Sequence, residues 1–76
     1  MKELLLFMAK KLVENPDAVT VSETTGEDGT VLELRVAEGD MGKVIGRQGR
    51  IAKEIRTIVK TVAQRTGEKV TVDIVD

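Results

Sequence analysis

The chain has 76 residues, 41% of them hydrophobic and 33% charged, with a formal net charge of −1 and neither cysteine nor histidine. Those two absences exclude disulfide bracing, thiolate metal sites and the usual neutral-pH acid–base catalyst. No apolar run approaches the roughly 20 residues that cross a bilayer, and Leu4 to Met8 is shorter than a signal-peptide core of about 7–15 residues, so one domain over residues 1–76 in the cytoplasm is expected.

Leu5, Met8, Leu12 and Val13 recur at helical spacing, with Met1 and Leu4 beside them, which predicts a first helix through Glu14. Phe7, the one aromatic residue, lies in this helix and is expected to pack in the core. Asn15-Pro16 ends the helix, because the residue before proline is pushed out of the helical region. Val19-Thr20-Val21 alternates as a strand, and Leu32, Leu34 and Val36 alternate in the next. The Asp28-Gly29 pair between them signals a hairpin.

Gly39-Asp40 breaks the second strand, and Asp40 is placed to cap a short helix over Met41 to Ile45. A second glycine-rich turn follows. Ile51, Ile55, Ile58, Val59 and Val62, with Ala52 and Ala63, then form one apolar helical face that Gly67 terminates. Val70, Val72 and Ile74 alternate as a last strand. The order is α-β-β-α-α-β, an α+β two-layer sandwich with a three-stranded mixed sheet and three helices on one face. The helices between the second and third strands favour a parallel, right-handed crossover. The other sheet face, with Thr20, Ser22, Glu33, Arg35, Thr71 and Asp73, is polar enough to remain wet.

The net charge hides a strong division. Residues 1–40 carry four basic and nine acidic side chains, residues 41–66 carry seven basic and one acidic, and residues 67–76 carry one lysine against three acids. Local field matters more to a polyanion than total charge. The basic segment opens on Gly42-Lys43-Val44-Ile45-Gly46-Arg47-Gln48-Gly49-Arg50. A glycine-bracketed turn lets the backbone approach a sugar–phosphate chain, since no Cβ intervenes. A helix N-terminus beside it adds free N–H groups and the positive end of a dipole. Lys53, Arg56 and Lys60 fall in one stripe along the helix, with Arg50 nearer the turn.

Read blandly, the same four residues are a tight helix–helix connection and the stripe a solvated face. The cation excess around the turn and the full element order favour the nucleic-acid reading. Nucleotide-binding alternatives fail on spacing, because the glycines read G-x-x-x-G-x-x-G and match neither the Rossmann nor the Walker pattern. An enzyme is not expected, since Ser22 has no activating base and the acids lie mostly on turns and strand edges. A platform that stacks bases on exposed rings is excluded by the single aromatic.

Val44-Ile45-Gly46-Arg47-Gln48-Gly49 resembles the Val-Ile-Gly-x-x-Gly core of the KH domain family, and the element order is similar to its bacterial, type II arrangement. The likeness covers essentially the whole chain. It implies single-stranded RNA, about four nucleotides long, in a groove between the helix–turn–helix and the sheet. By that carry-over Gly46, Arg47, Gln48 and Gly49 clamp the backbone and Val44 and Ile45 line the groove, while Lys43, Arg50, Lys53 and Arg56 join the candidate site as the neighbouring cations. Ala52 stands where many members have isoleucine, so a shallower groove wall is expected. Glu27 and Asp28 make the hairpin loop a poor grip on RNA.

The function expected is non-catalytic binding of single-stranded RNA with low sequence selectivity, as an RNA chaperone or post-transcriptional regulator. The resemblance also implies a homodimer, or a heterodimer with a larger KH-containing protein. An alternative is a dimerisation or adaptor module with weak RNA contact of its own. No cofactor, metal, membrane or small-molecule substrate is expected.

Overall fold

The computed structural model describes residues 1–75. Helix α1 runs over Lys2–Leu12, strands β1 and β2 over Thr20–Gly26 and Gly29–Arg35, helix α2 over Met41–Ile45, helix α3 over Arg50–Arg65 and strand β3 over Val70–Ile74. Single 3-10 turns at Pro16–Ala18, Glu38–Asp40 and Arg47–Gly49 join them. The sheet order is β1-β2-β3. β1 pairs antiparallel with β2 in the register Val21↔Leu34, and β2 pairs parallel with β3 in the register Leu32↔Val72. This is the mixed three-stranded sheet that the alternation predicts, carrying the three helices expected of it.

The alternating apolar residues bury the face they were expected to bury. Leu5, Leu32, Leu34 and Val59 are fully buried, and Val21, Ile55, Val70 and Val72 join them in one core. Each such side chain contributes roughly 1.5–3 kcal/mol relative to exposure. On the opposite face Thr20, Ser22, Arg35, Thr71 and Asp73 are exposed. At the hairpin, Glu27 and Asp28 form the two-residue loop closed by the pair Gly26↔Gly29. The positive φ of +114° falls on Gly29 and not on the loop residues, so the strongly twisted connection is completed one residue into β2.

Gly67 ends α3 as the sequence indicates. Its φ is +75°, and its N–H donates to the Gln64 carbonyl (3.2 Å) while that of Glu68 donates to Ala63 (2.9 Å). That pair of bonds is the Schellman pattern, which satisfies carbonyls the helix leaves open.

Three expectations are corrected. The first helix stops at Leu12, short of Glu14, and Asp40 is the reason. Its carboxylate is buried and makes no capping bond to α2. Instead the N–H groups of Glu14 and Asn15 donate to Oδ1 (3.2 Å) and Oδ2 (3.0 Å). Asp40 thus ties the end of α1 to the start of α2, and removes two donors from any further helical turn. Phe7 does not pack in the core. Its ring is 61% exposed, with the Lys11 ammonium 5.3 Å from its centroid. The core-facing stripe of α1 is Leu5 and Ala9, and Phe7 lies about 200° around the helix from Leu5. On α3, Ile58 and Val62 remain partly exposed, because the core takes the Ala52, Ile55, Val59 and Ala63 side of the broader apolar face.

Candidate nucleic-acid interface

The glycine turn is built largely from left-handed backbone. Gly46 has φ 76° and ψ 176°, Gln48 has φ 57° and ψ 26°, and Gly49 has φ 73° and ψ 15°. Three positive φ angles in four residues reverse the chain between α2 and α3 with almost no intervening loop. The N–H of Gly46 donates to Gly42 (2.9 Å) and that of Gly49 to Gly46 (3.2 Å). Among the described residues, the N–H groups of Arg47 and Gln48 have no backbone acceptor outside the turn. Both residues are exposed. The turn therefore presents donors, a guanidinium and an amide to solvent, which suits an anion.

Gly46 is the pivot. A Cβ there would lie 2.6 Å from Ile51 Cγ1 and 2.9 Å from its Cβ and Cδ1. Its φ/ψ region is one that essentially only glycine occupies. Ile51 thereby packs against bare backbone, and that contact sets how closely the turn folds down on α3.

From the turn, Lys53, Arg56 and Lys60 follow one flank of α3 over about 15 Å, counted from the first residue of the helix. Arg56 and Lys60, with Lys69, Val70, Thr71 and Val72, line a cleft of about 290 Å³ between α3 and the outer edge of β3. The Arg56 Nε–H donates to the Val72 carbonyl at 3.1 Å. The cleft combines three cations, apolar strand side chains and an open strand edge.

Not every predicted site residue belongs to this surface. Val44 is fully buried and offers nothing to a groove, whereas Ile45 is half-buried beside the turn. The alternation of apolar residues in so short a helix gives no means of separating the two. Ala52 is buried as well, so it shapes the interior and not a groove wall. Lys43 lies near carboxylates, its Nζ 3.8 Å from Glu14 and 3.9 Å from Asp40 with the side chain 41% exposed. Arg50 sits on the opposite flank, lining an apolar groove of about 320 Å³ with Met8, Leu12, Ile51, Glu54, Ile55 and Ile58. Lys69 was not among the predicted site residues. Its signal is a cation immediately before a strand that a helix returns to, beside that helix's own basic stripe.

Comparison with known proteins follows the same lines. The family model described as "KhpA/KhpB, KH domain" matches residues 2–74. The chain is 57% identical to the RNA-binding protein KhpA of Clostridium acetobutylicum, covering 99% of this chain and 100% of that one. It is 43% identical to RNA-binding protein KhpA of Aquifex aeolicus, over 100% of this chain and 96% of that one. Among solved structures, Aquifex aeolicus Era bound to GDP and aluminium fluoride shares the fold with a TM-score of 0.64 at 22% identity, over 96% of this chain and 28% of Era. A complex of Era with MgGDPNP and nucleotides 1506–1542 of 16S ribosomal RNA gives 0.58 at 23% identity, with the same coverage.

Proposed function

The chain belongs to the KhpA/KhpB KH-domain family, and on that footing we propose that it is a non-catalytic RNA-binding protein, working in the cytoplasm as an RNA chaperone or post-transcriptional regulator. A single strand of about four nucleotides lies with its backbone across Gly46, Arg47, Gln48 and Gly49. From there it follows Lys53, Arg56, Lys60 and Lys69 along β3. The observation that carries this reading is the placement along α3: Arg47 and Gln48 are exposed at the turn before its first residue, and its Arg56 and Lys60 flank lines a cleft with Lys69 and β3.

Low sequence selectivity fits the composition of that surface. Its contacts are backbone donors and flexible cations, and the one aromatic ring lies on α1, leaving no stacking platform. Affinity then depends on phosphate neutralisation. With about three phosphates neutralised, log K is expected to fall with log salt at a slope near −2. A titration of short single-stranded RNA at several salt concentrations measures it, and a slope near zero contradicts the reading.

A second reading, pairing with another KH module, is favoured by a separate feature. Leu12 and Ile58 are exposed and line the apolar groove between α1 and α3, on the flank of α3 away from the basic cleft, and Val62 is exposed one turn beyond Ile58. Pairing there leaves both clefts open, and linking two short grooves raises affinity through effective concentration. Light scattering is expected to show a concentration-dependent dimer. A monomer at every concentration that binds RNA with undiminished affinity removes this second reading.

A further inference from the structure

We propose that Asp40 is a positioning residue for RNA: its buried carboxylate aims the glycine turn by fixing the start of α2 against the end of α1. This role rests on the RNA reading above and names what holds its turn in place. Among the described residues Asp40 is the one buried polar or charged side chain, 4% exposed. Burying a carboxylate is costly unless it is hydrogen-bonded, and here both oxygens are used. Oδ1 accepts from Glu14 N–H and Oδ2 from Asn15 N–H. Neither oxygen caps α2, although the residue stands where a cap belongs. Its bonds run across the chain instead, to the segment that α1 delivers.

α2 needs such an anchor. It has five residues, far fewer than the roughly 12–15 at which a helix begins to hold itself in water. Val44, fully buried, seats its far half in the interior. The contact of Gly46 with Ile51 limits how near the turn comes to α3, but does not stop it from moving sideways or away. The carboxylate removes that freedom by gripping two consecutive N–H groups. At 1.5 Å rise per residue Gly46 lies about 9 Å beyond Asp40, so a tilt of about 10° carries the turn about 1.5 Å. Hydrogen bonds from Arg47 and Gln48 to a phosphate do not survive that displacement. Asparagine is close to aspartate in shape but has one acceptor oxygen. At residue 40 it holds one N–H and turns an amide donor toward the other.

Charge alone gives the opposite sign to positioning. Asp40→Asn deletes a carboxylate from the basic segment and leaves Lys43 one fewer opposite charge nearby, which by electrostatics tightens a polyanion. Positioning instead makes Asp40→Asn weaken short single-stranded RNA by about tenfold, the worth of one charge-assisted hydrogen bond. The test titrates such an RNA at one salt concentration into the parent chain, Asp40→Asn, Arg47→Ala, Lys60→Ala, and Asp40→Asn combined with each of the last two. Circular dichroism records the folded fraction. Where Asp40→Asn is partly unfolded, every chain is titrated again in trimethylamine N-oxide, which favours the compact state. Arg47→Ala is expected to add little to the loss in the Asp40→Asn chain, because the turn contact is already gone, whereas Lys60→Ala weakens it as much as it weakens the parent. Unchanged or tighter binding by folded Asp40→Asn overturns the proposal and leaves Asp40 a part in stability alone. A loss on which Arg47→Ala and Lys60→Ala both act at full strength overturns it too. The parent and the Arg47→Ala chain test the RNA reading separately: if the parent binds no RNA, that reading itself fails.

Discussion

Replacing Arg47 and Gln48 together with aspartate is expected to lower affinity for single-stranded RNA at least about a hundredfold, with the fold intact. Both side chains are exposed at the turn, so neither contributes to the core. The double substitution removes one cation and adds two carboxylates where a phosphate would sit. Lost charge-assisted hydrogen bonds, at roughly 1.5–3 kcal/mol each, together with the new repulsion account for the factor. Aspartate suits this experiment because Gln48 has φ 57°, a left-handed conformation that aspartate enters more readily than most residues. Stability is expected to change by only about 0.5 kcal/mol, as for surface sites generally. Melting followed by circular dichroism, beside an RNA titration, provides the check. Undiminished affinity in the folded variant removes the turn from the interface.

The second large effect concerns Gly46. Gly46→Ala is expected to destabilise the chain by about 3 kcal/mol, combining backbone strain with overpacking against Ile51. The added Cβ meets three side-chain atoms of Ile51 at 2.6–2.9 Å. Ile51 is packed on the core, and its Cβ, one of the three atoms, cannot move without the α3 backbone. For 76 residues, total stability is on the order of 4–11 kcal/mol, so the loss is a large fraction of it. Gly49→Ala is the internal comparison. A Cβ at Gly49 has nothing within 4 Å, leaving only the left-handed strain of about 1–2 kcal/mol. Urea denaturation is expected to rank Gly46→Ala well below Gly49→Ala, and equal losses contradict the packing argument.

The parts of this molecule that were legible in its sequence are those set by local rules. Gly67 marks the end of α3 through its own backbone chemistry, and alternation at Leu32, Leu34, Val70 and Val72 fixes which sheet face is covered. The glycine turn was legible for the same reason, since its conformation belongs to the residues themselves. What escaped depends on contacts across the chain. Asp40 sits where a capping residue belongs, yet its partners are Glu14 and Asn15, 26 and 25 positions away. Helical spacing identifies an apolar face on α3 but not which margin a neighbour covers. Ile58 and Val62 are therefore open while Ala52 and Ala63 are closed. The same ambiguity separates Arg50, on the α1 side, from Arg56, on the β3 side. Phe7 illustrates the limit of composition: a lone aromatic suggests a core position, but its angular place on α1 turns it to solvent.

The division of charge has a structural counterpart. Lys43 is engaged by Glu14 and Asp40 near the junction of α1 and α2, so one cation of the basic segment serves the scaffold. Lys53, Arg56, Lys60 and Lys69 have no carboxylate partner among the described residues. A field from unpaired cations reaches a phosphate more effectively than one already neutralised at short range.

Residue-resolved NMR during titration with a short single-stranded RNA measures directly where a polynucleotide touches this protein. Shifts are expected to gather on Gly46 to Gly49, Lys53, Arg56, Lys60 and the Lys69 to Val72 edge. Shifts confined to the groove of Met8, Leu12 and Ile58, or to the open sheet face of Thr20, Ser22 and Glu33, contradict it.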